Sequence, residues 1–395
     1  MTGNEEKMPS KSILHGIRIL DFTWVLAGPY ATRLLADFGA EVIKVQPLLS
    51  SEADDEMARG YYAAWNRNKL GVTLNLNKPE GIALAKRLVK VCDAVVENFT
   101  PRVMANWGLD YKNLKKIKPD IIMVSMSALG QKGSGRNYAG FAPTVHAISG
   151  MTSLTSFPGR PPLGPGFAYA DHIAGLRASI ALLGALEQRR RTGKGRHIDI
   201  SEVKVMKSLL SDDIDVKGKQ IAPAGNRIPE AAPHNVYPCK GENRWCAIAV
   251  FTGEEWRGLK QAMGNLAWAE DEKYKNLEGR KKNEDELDSR MAAWTRKHSA
   301  EELMEKLQSR GIAAGILQDA AELFQDPQLK ARGFFIGGGD EQGVLTDANP
   351  IRMGGAGANY ERKAPAQGQD NDYVYGKLVG MGRKEIDALR EKGVI

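Results

Sequence analysis

The sequence predicts an α/β protein: a large, Rossmann-like, doubly wound parallel-sheet domain plus a smaller α+β domain. Three observations carry that expectation. Short apolar strands alternate with amphipathic helical stretches through the first half of the chain. A polar, proline-containing stretch at 212–233 then changes its character. With 395 residues, the chain is long enough to build two lobes.

Residues 17–22 read as a buried strand, 30–38 as a helix stopped by Gly39, and 41–45 as the next strand. This βαβ unit closes in roughly 30 residues, as such a unit requires. Residues 72–76 are extended, and Asn77 is placed to cap a helix with Pro79 in its first turn and Leu84, Leu88 and Val91 on one face. Strand 94–97, helix 111–117 and strand 121–126 follow. Leu176, Ile180 and Leu183 recur at helical spacing after Asp171, which puts Asp171 at or near a helix N-cap. Strand 196–200 and a helix over 203–210 complete the pattern.

Beyond the connection, 245–250 is strand-like, and 253–263 and 285–297 are helical. Ser299 and Glu302 form a capping box that opens a helix over 300–309. The tail from Phe334 is glycine-rich and extended, with a last helix near 384–389. The expected division is 1–212 as the first part of the large domain, 213–233 as linker, 234–330 as the small α+β domain, and 331–395 as return linker and C-terminal part of the large domain.

Composition removes several function classes. The longest nearly apolar stretch, about 178–186, is too short to span a bilayer. Residues 1–12 are polar and mixed in charge, unlike a signal or transit sequence, so the expectation is a cytoplasmic protein with no membrane partner. Cys92, Cys239 and Cys246 show no CxxC spacing and the six histidines no ligand spacing, so no metal is expected. A net charge of +7 suits phosphate-bearing small molecules, and no zinc-finger, RNP or helix-turn-helix pattern supports nucleic acid. The glycine fingerprint of dinucleotide binding is missing after the first strand, which speaks against nicotinamide or flavin chemistry. The basic cluster 189–196 reads as a solvated turn made possible by Gly193 and Gly195.

Asp171 supports two readings. Asp is a favoured N-cap, contributing ~1 kcal/mol. The same helix terminus stabilises an ionised carboxylate, and a carboxylate beside a cleft is a nucleophile for an activated acyl carbon. The approach through Pro161-Pro-Leu-Gly-Pro-Gly166 is shaped to hold it there.

Five ordered blocks bear on the choice: Leu20-Asp-Phe-Thr-Trp-Val-Leu-Ala-Gly-Pro29, Asp37-Phe-Gly-Ala-Glu-Val-Ile-Lys44, Asn66-Arg-Asn-Lys69, Glu97-Asn-Phe99 and Arg191-Thr-Gly-Lys-Gly-Arg196. Through them the whole chain resembles the class III (family III) CoA-transferases, a group that includes formyl-CoA transferase, carnitine CoA-transferase and 2-methylacyl-CoA racemase. The resemblance implies that Asp171 is the nucleophile and passes through an aspartyl-CoA thioester. It implies a CoA thioester as substrate and no tightly bound cofactor. By family position, CoA contacts fall at Leu26, Ala27, Leu74, Asn98, Phe99 and Tyr138, with Arg102 as a phosphate candidate. The chain departs from some relatives at Leu26, where they carry Gln, and at Pro47 and Asn106, where they carry a basic residue.

The resemblance also implies an interlaced dimer, either a homodimer or a heterodimer with a related subunit. The alternative within the family, racemisation next to the thioester, needs a His where this chain has Phe141; His146 reads as packing or surface. Trp24, Phe141 and Phe167 suggest an apolar pocket and a bulky or aromatic-substituted acceptor acid.

Overall fold

The computed structural model describes residues 12–48, 56–210, 223–337, 345–354 and 357–395. It divides into two compact units, one made of Met1–Thr152, Gly164–Lys219 and Gly333–Ile395, the other of Ser153–Leu163 and Gln220–Arg332.

The first unit runs β1 (Arg18–Asp21), α1 (Ala27–Asp37), β2 (Glu41–Gln46), α2 (Glu56–Asn66), β3 (Lys69–Thr73), α3 (Pro79–Val91), β4 (Ala94–Glu97), α4 (Pro101–Asn106), α5 (Tyr111–Ile117), β5 (Ile122–Ser127), α6 (Ala142–Ser149), α7 (Met151–Leu154), α8 (Tyr169–Thr192), β6 (His197–Ser201) and α9 (Glu202–Lys207). Its strands form one sheet in the order β3-β2-β1-β4-β5-β6, and every pairing is parallel. Both faces are covered, as a parallel sheet requires. Neighbouring strand residues point to opposite faces, so Leu20 and Ile43 pack with Leu84 and Leu88, while Ile19 and Val42 pack with Ala174 and Leu182. The strand order reverses between β1 and β4, and a crevice at that switch point is where open α/β sheets bind ligands.

The edge strand β3 is closed from far along the chain. Its Gly71 amide donates to Asp370 Oδ2 at 2.8 Å and its Thr73 amide to Asn371 Oδ1 at 3.0 Å. Tyr375 Oη donates to Thr73 O at 2.7 Å, and Val374, Tyr375, Val394 and Ile395 are buried in the core beside β3. Val374 and Tyr375 lie in a wide-turn helix, Asp372–Leu378, and Val394 and Ile395 follow α-helix Arg383–Glu391.

The second unit holds an antiparallel sheet, β7 (His234–Pro238), β8 (Trp245–Ala249) and β9 (Ala313–Ile316), around a core that includes Tyr237, Trp256, Leu259, Met291 and Leu303. The Ser299–Glu302 capping box is present at the start of Ala300–Gln308.

Several local expectations are corrected. The third strand begins at Lys69 rather than Val72, because Lys69 is wholly buried where a charged residue suggested a surface. Asn77 does not cap α3: the N-cap is Lys78, without a side-chain bond, and the Asn77 amide donates to Asn75 Oδ1 at 3.0 Å. Helix α2 was not anticipated at all. The expected linker 213–233 lies outside the described residues up to 222, and its end belongs to the small unit: Ala231 and Ala232 are fully buried, and the Ala232 amide donates to Val250 O. Ser153–Leu163 also joins that unit, because Phe157 packs on Gly225 so closely that a Cβ there would lie 2.9 Å from the ring.

Candidate active site

The loop after β1 is anchored by a buried charge cluster. Asp21 is fully buried; its Oδ2 takes Lys69 Nζ at 3.0 Å and Thr32 Oγ1 at 2.7 Å, and its Oδ1 takes the Thr23 amide at 2.8 Å. Lys69 completes its shell with Asn66 Oδ1 at 2.9 Å and Pro29 O at 3.1 Å, and Lys44 lies 3.8 Å from Asp21 Oδ1. Burial would raise the Asp21 carboxyl, but Lys44, Lys69 and the threonine bonds bring it down to about 2.

From that anchor the chain turns through Val25, whose φ of 62° is unusual for a β-branched residue. Asn98, just past β4, locks the turn: its Oδ1 accepts the Trp24 amide and its Nδ2 donates to Trp24 O, both at 2.8 Å. The loops on either side of the switch point are thereby tied together. Glu97 is buried at the end of β4 and accepts the Phe99 amide at 2.8 Å; burial pushes its carboxyl up to about 7.

The turn delivers the backbone amide of Ala27, the first residue of α1, to the carboxylate of Asp171. Asp171 is the third residue of α8, not its N-cap; Ala168 occupies the cap without a side-chain bond. Helices α1 and α8 approach closely because Gly175 carries no side chain: a Cβ there would lie 2.7 Å from Ala27 O and 3.0 Å from the Tyr30 ring. Gly175→Ala is therefore expected to push α1 off α8 and to cost about 1–3 kcal/mol, read by a urea melt, with a loss of activity larger than the melt alone explains.

Asp171 is held by its own amide and that of Ala27, yet its Oδ2 is buried with no hydrogen-bond partner among the described residues. Burial raises its pKa above the ordinary value, against the pull of those amides and His172. An aromatic wall stands beside it. The His172 ring packs on Tyr30 at 5.0 Å and Trp65 at 5.3 Å, with Phe167 at 6.1 Å, and Tyr61 lies against Trp65 at 5.9 Å. Asp171 also raises the Tyr61 hydroxyl, second to burial. Arg33 backs the wall, stacked 4.7 Å from Trp65 and bound to Asp347 at 2.7 and 2.9 Å.

Two further groups lie near Asp171, neither of which the sequence marks as functional. Glu202 opens α9 with 6 % exposure, and burial followed by the charge of Asp171 pushes its carboxyl up to about 8. Both causes favour its neutral form. The other is His146, for which packing is the outcome of the two expected alternatives: it is buried, and its Nε2 accepts the Ala170 amide at 3.1 Å. No periodicity marks either one, since their roles come from the meeting of α6, α8 and α9.

The expected CoA positions separate. Leu26 and Leu74 are buried, 1 % and 3 % exposed, so neither presents a surface to a ligand in this structure. Asn98 and Ala27 build the turn beside Asp171. Phe99 packs edge-on against Trp24 and Trp107. Arg102 is exposed on α4, and Tyr138 is 69 % exposed. Trp24, Phe141 and Phe167 are exposed too. Among the described residues there is no cluster of three or more metal-ligating side chains, and no helix long and apolar enough to cross a membrane.

Comparison with known proteins supplies the family. Residues 14–371 match the model of CoA-transferase family III. The chain is 35 % identical to a succinyl-CoA–D-citramalate CoA-transferase of Chloroflexus aurantiacus, over 97 % of this chain and 98 % of that one. It is 32 % identical to a succinate–glutarate CoA-transferase of Agrobacterium fabrum, over 94 % and 97 % of the two chains. The crystal structure of a CAIB/BAIF family protein from Brucella suis superposes with a TM-score of 0.86 at 30 % identity, covering 93 % of this chain and all of that one. Since sequence and fold agree over nearly the whole length, the chain belongs to CoA-transferase family III and is an enzyme of that kind.

Proposed function

We propose that this enzyme moves CoA from an acyl-CoA donor, such as succinyl-CoA, to a carboxylic acid through an aspartyl-CoA thioester on Asp171. The observation that carries the reading is the half-buried Asp171 carboxylate with an unpartnered Oδ2, at the start of one helix and beside the first amide of another. Asp171 attacks the donor thioester carbonyl, the C–S bond breaks, and a mixed anhydride and CoA thiolate result. The thiolate attacks the Asp171 acyl carbon, forming the enzyme thioester and releasing the donor carboxylate. The acceptor carboxylate attacks that thioester and expels the thiolate, which takes the acceptor acyl group and frees Asp171. One thioester replaces another, so the protein's task is to position groups, exclude water and stabilise oxyanions. Protonated Glu202 is suited to keep a second negative charge away from the carboxylate.

CoA lies against the switch-point loops, beside Leu26, Ala27, Leu74, Asn98, Phe99 and Tyr138, while Arg102 meets phosphate. The succinyl donors in the relatives' names support the donor class. Racemisation is not favoured: Phe141 cannot move a proton, and His146 spends its Nε2 on a backbone amide. The exposed aromatic side chains Trp24, Phe141 and Phe167 support an acceptor with apolar bulk. The enzyme acts as an interlaced homodimer or beside a related subunit; one relative, 32 % identical, is named as an alpha subunit.

The test is intact-mass measurement after incubation with succinyl-CoA, where a CoA-sized adduct on the wild-type chain is expected. Its absence under conditions of turnover would remove the covalent course. In an acceptor panel, alkyl- and arylsuccinates are expected to outpace oxalate, and the reverse order would refute the apolar pocket.

A further inference from the structure

Buried beside the nucleophile's helix is a histidine that the transfer chemistry leaves unused. His146 lies in α6, 4 % exposed, with Nε2 3.1 Å from the Ala170 amide. The first amides of a helix have no carbonyl one turn earlier to accept them. In α8 the Tyr169 amide donates to Phe167 O at 2.8 Å, the Asp171 amide turns to its own carboxylate, and Ala170 is left to His146. The N-cap residue supplies no side-chain acceptor. Ala170 is 0 % exposed, so losing the imidazole leaves its amide without water to replace it. The residue so held is the immediate neighbour of Asp171.

An imidazole accepts at Nε2 only when neutral, with its proton on Nδ1; protonation sets a donor against a donor. Helix α6 packs on α8 and α9. Titratable side chains on those elements are Tyr169, Asp171, His172 and Arg177 toward the start of α8, Glu187 and the arginines at its far end, and Glu202, Lys204 and Lys207 on α9. None contributes to the shift of His146, which burial alone pulls below the ordinary histidine value. The cap is therefore intact above that lowered value and lost as the pH falls through it.

We propose that His146 is a positioning residue for the nucleophile: its neutral ring caps the first turn of α8, keeps the Asp171 carboxylate in register with the Ala27 amide, and releases that turn when protonated. The inference rests on Asp171 being the nucleophile. It gives the acid limb of the activity two ionisations of the same direction, since Asp171 must lose a proton to attack and His146 must lose one to accept.

Two substitutions separate capping from packing. His146→Gln brings a carbonyl oxygen to about the reach of Nε2 without titrating, and His146→Leu fills the space without an acceptor. Rates with succinyl-CoA and an accepted acid are measured across pH, with the melting temperature and the adduct mass of each variant. His146→Leu is expected to lose about 10- to 100-fold in kcat while KM moves by less than about threefold, as for a displaced reacting group. His146→Gln is expected to stay within about threefold of wild type near neutrality, with its acid limb reduced by about one proton. Equal losses in the two variants, or an acid limb unchanged in His146→Gln, would overturn the proposal. If His146→Leu does not fold, the pH profile of His146→Gln decides alone. Failure of the Asp171 reading shows separately, as a wild-type chain that turns over without ever carrying CoA.

Discussion

Asp171→Asn is expected to lower kcat by about four orders of magnitude or more and to carry no CoA adduct, while melting at or above the wild-type temperature. The two readouts move apart for one reason. Burial holds the carboxyl pKa above its ordinary value, so the ionised form is more costly in the folded protein than in the unfolded chain. With a folded value above the unfolded one, ionisation subtracts stability as the pH rises through that interval, and the loss persists at neutral pH. Asn removes that cost and keeps the shape. For the same reason, wild-type activity is expected to rise with pH through a range above that of an ordinary aspartate. An Asn variant that keeps both turnover and adduct would put the nucleophile elsewhere. One that loses activity together with its fold would make Asp171 a structural residue.

The second large effect falls on stability. Asp21→Asn removes the buried counter-charge 3.0 Å from the wholly buried Lys69 ammonium, and a loss of about 3–5 kcal/mol is expected in a urea melt. Lys69→Met should cost clearly less, because Asp21 keeps Lys44 and its bonds from Thr23 and Thr32. Equal losses would show that the cluster is not organised around the carboxylate. The pH dependence has a definite sign. The Asp21 value is lowered in the fold to about 2, so its contribution is complete above the ordinary value of 3.8 and is lost as the pH falls from there toward 2. The wild-type chain should lose stability over that window, and Asp21→Asn should lose less.

The parallel sheet was legible because its strands are short apolar runs buried on both faces, and hydrophobicity survives as a local signal. Strand Ala94–Glu97 and helix Tyr111–Ile117 lie where the pattern put them. The pattern failed where a charge is buried by a distant partner. Lys69 reads as surface until Asp21 and Asn66 are seen around its ammonium, and the strand boundary moved with it. The Asn66-Arg-Asn-Lys69 block was recognisable as a motif, but its physical content was not. Arg67 binds Asp37 at 2.6 and 2.9 Å, and Asn68 bridges Asp37 to Asn359 O. Asp171 stood out near the helix start, three positions past the N-cap Ala168. Glu202 did not stand out, and His146 read only as packing or surface, because their partners lie on other elements. The Leu26 and Leu74 side chains went to the core for a simpler reason: an apolar residue after a strand packs before it meets a ligand.

The seam between Arg33 and Asp347, with Asp370 and Asn371 laid along β3, has a consequence for synthesis. Arg33 and β3 emerge from the ribosome long before the groups that complete them, and all of Gln220–Arg332 is translated in between. At ~5–20 residues per second that wait is some tens of seconds, far longer than helices and hairpins need to form. The nascent large unit spends it with an open sheet edge and an unpaired Arg33 guanidinium, while the later-made small unit has its whole helical complement in hand. Assembly of the catalytic unit is thus timed by the arrival of its second half. A pause or truncation between 332 and 345 strands the chain with its six strands made and the β3 edge uncovered.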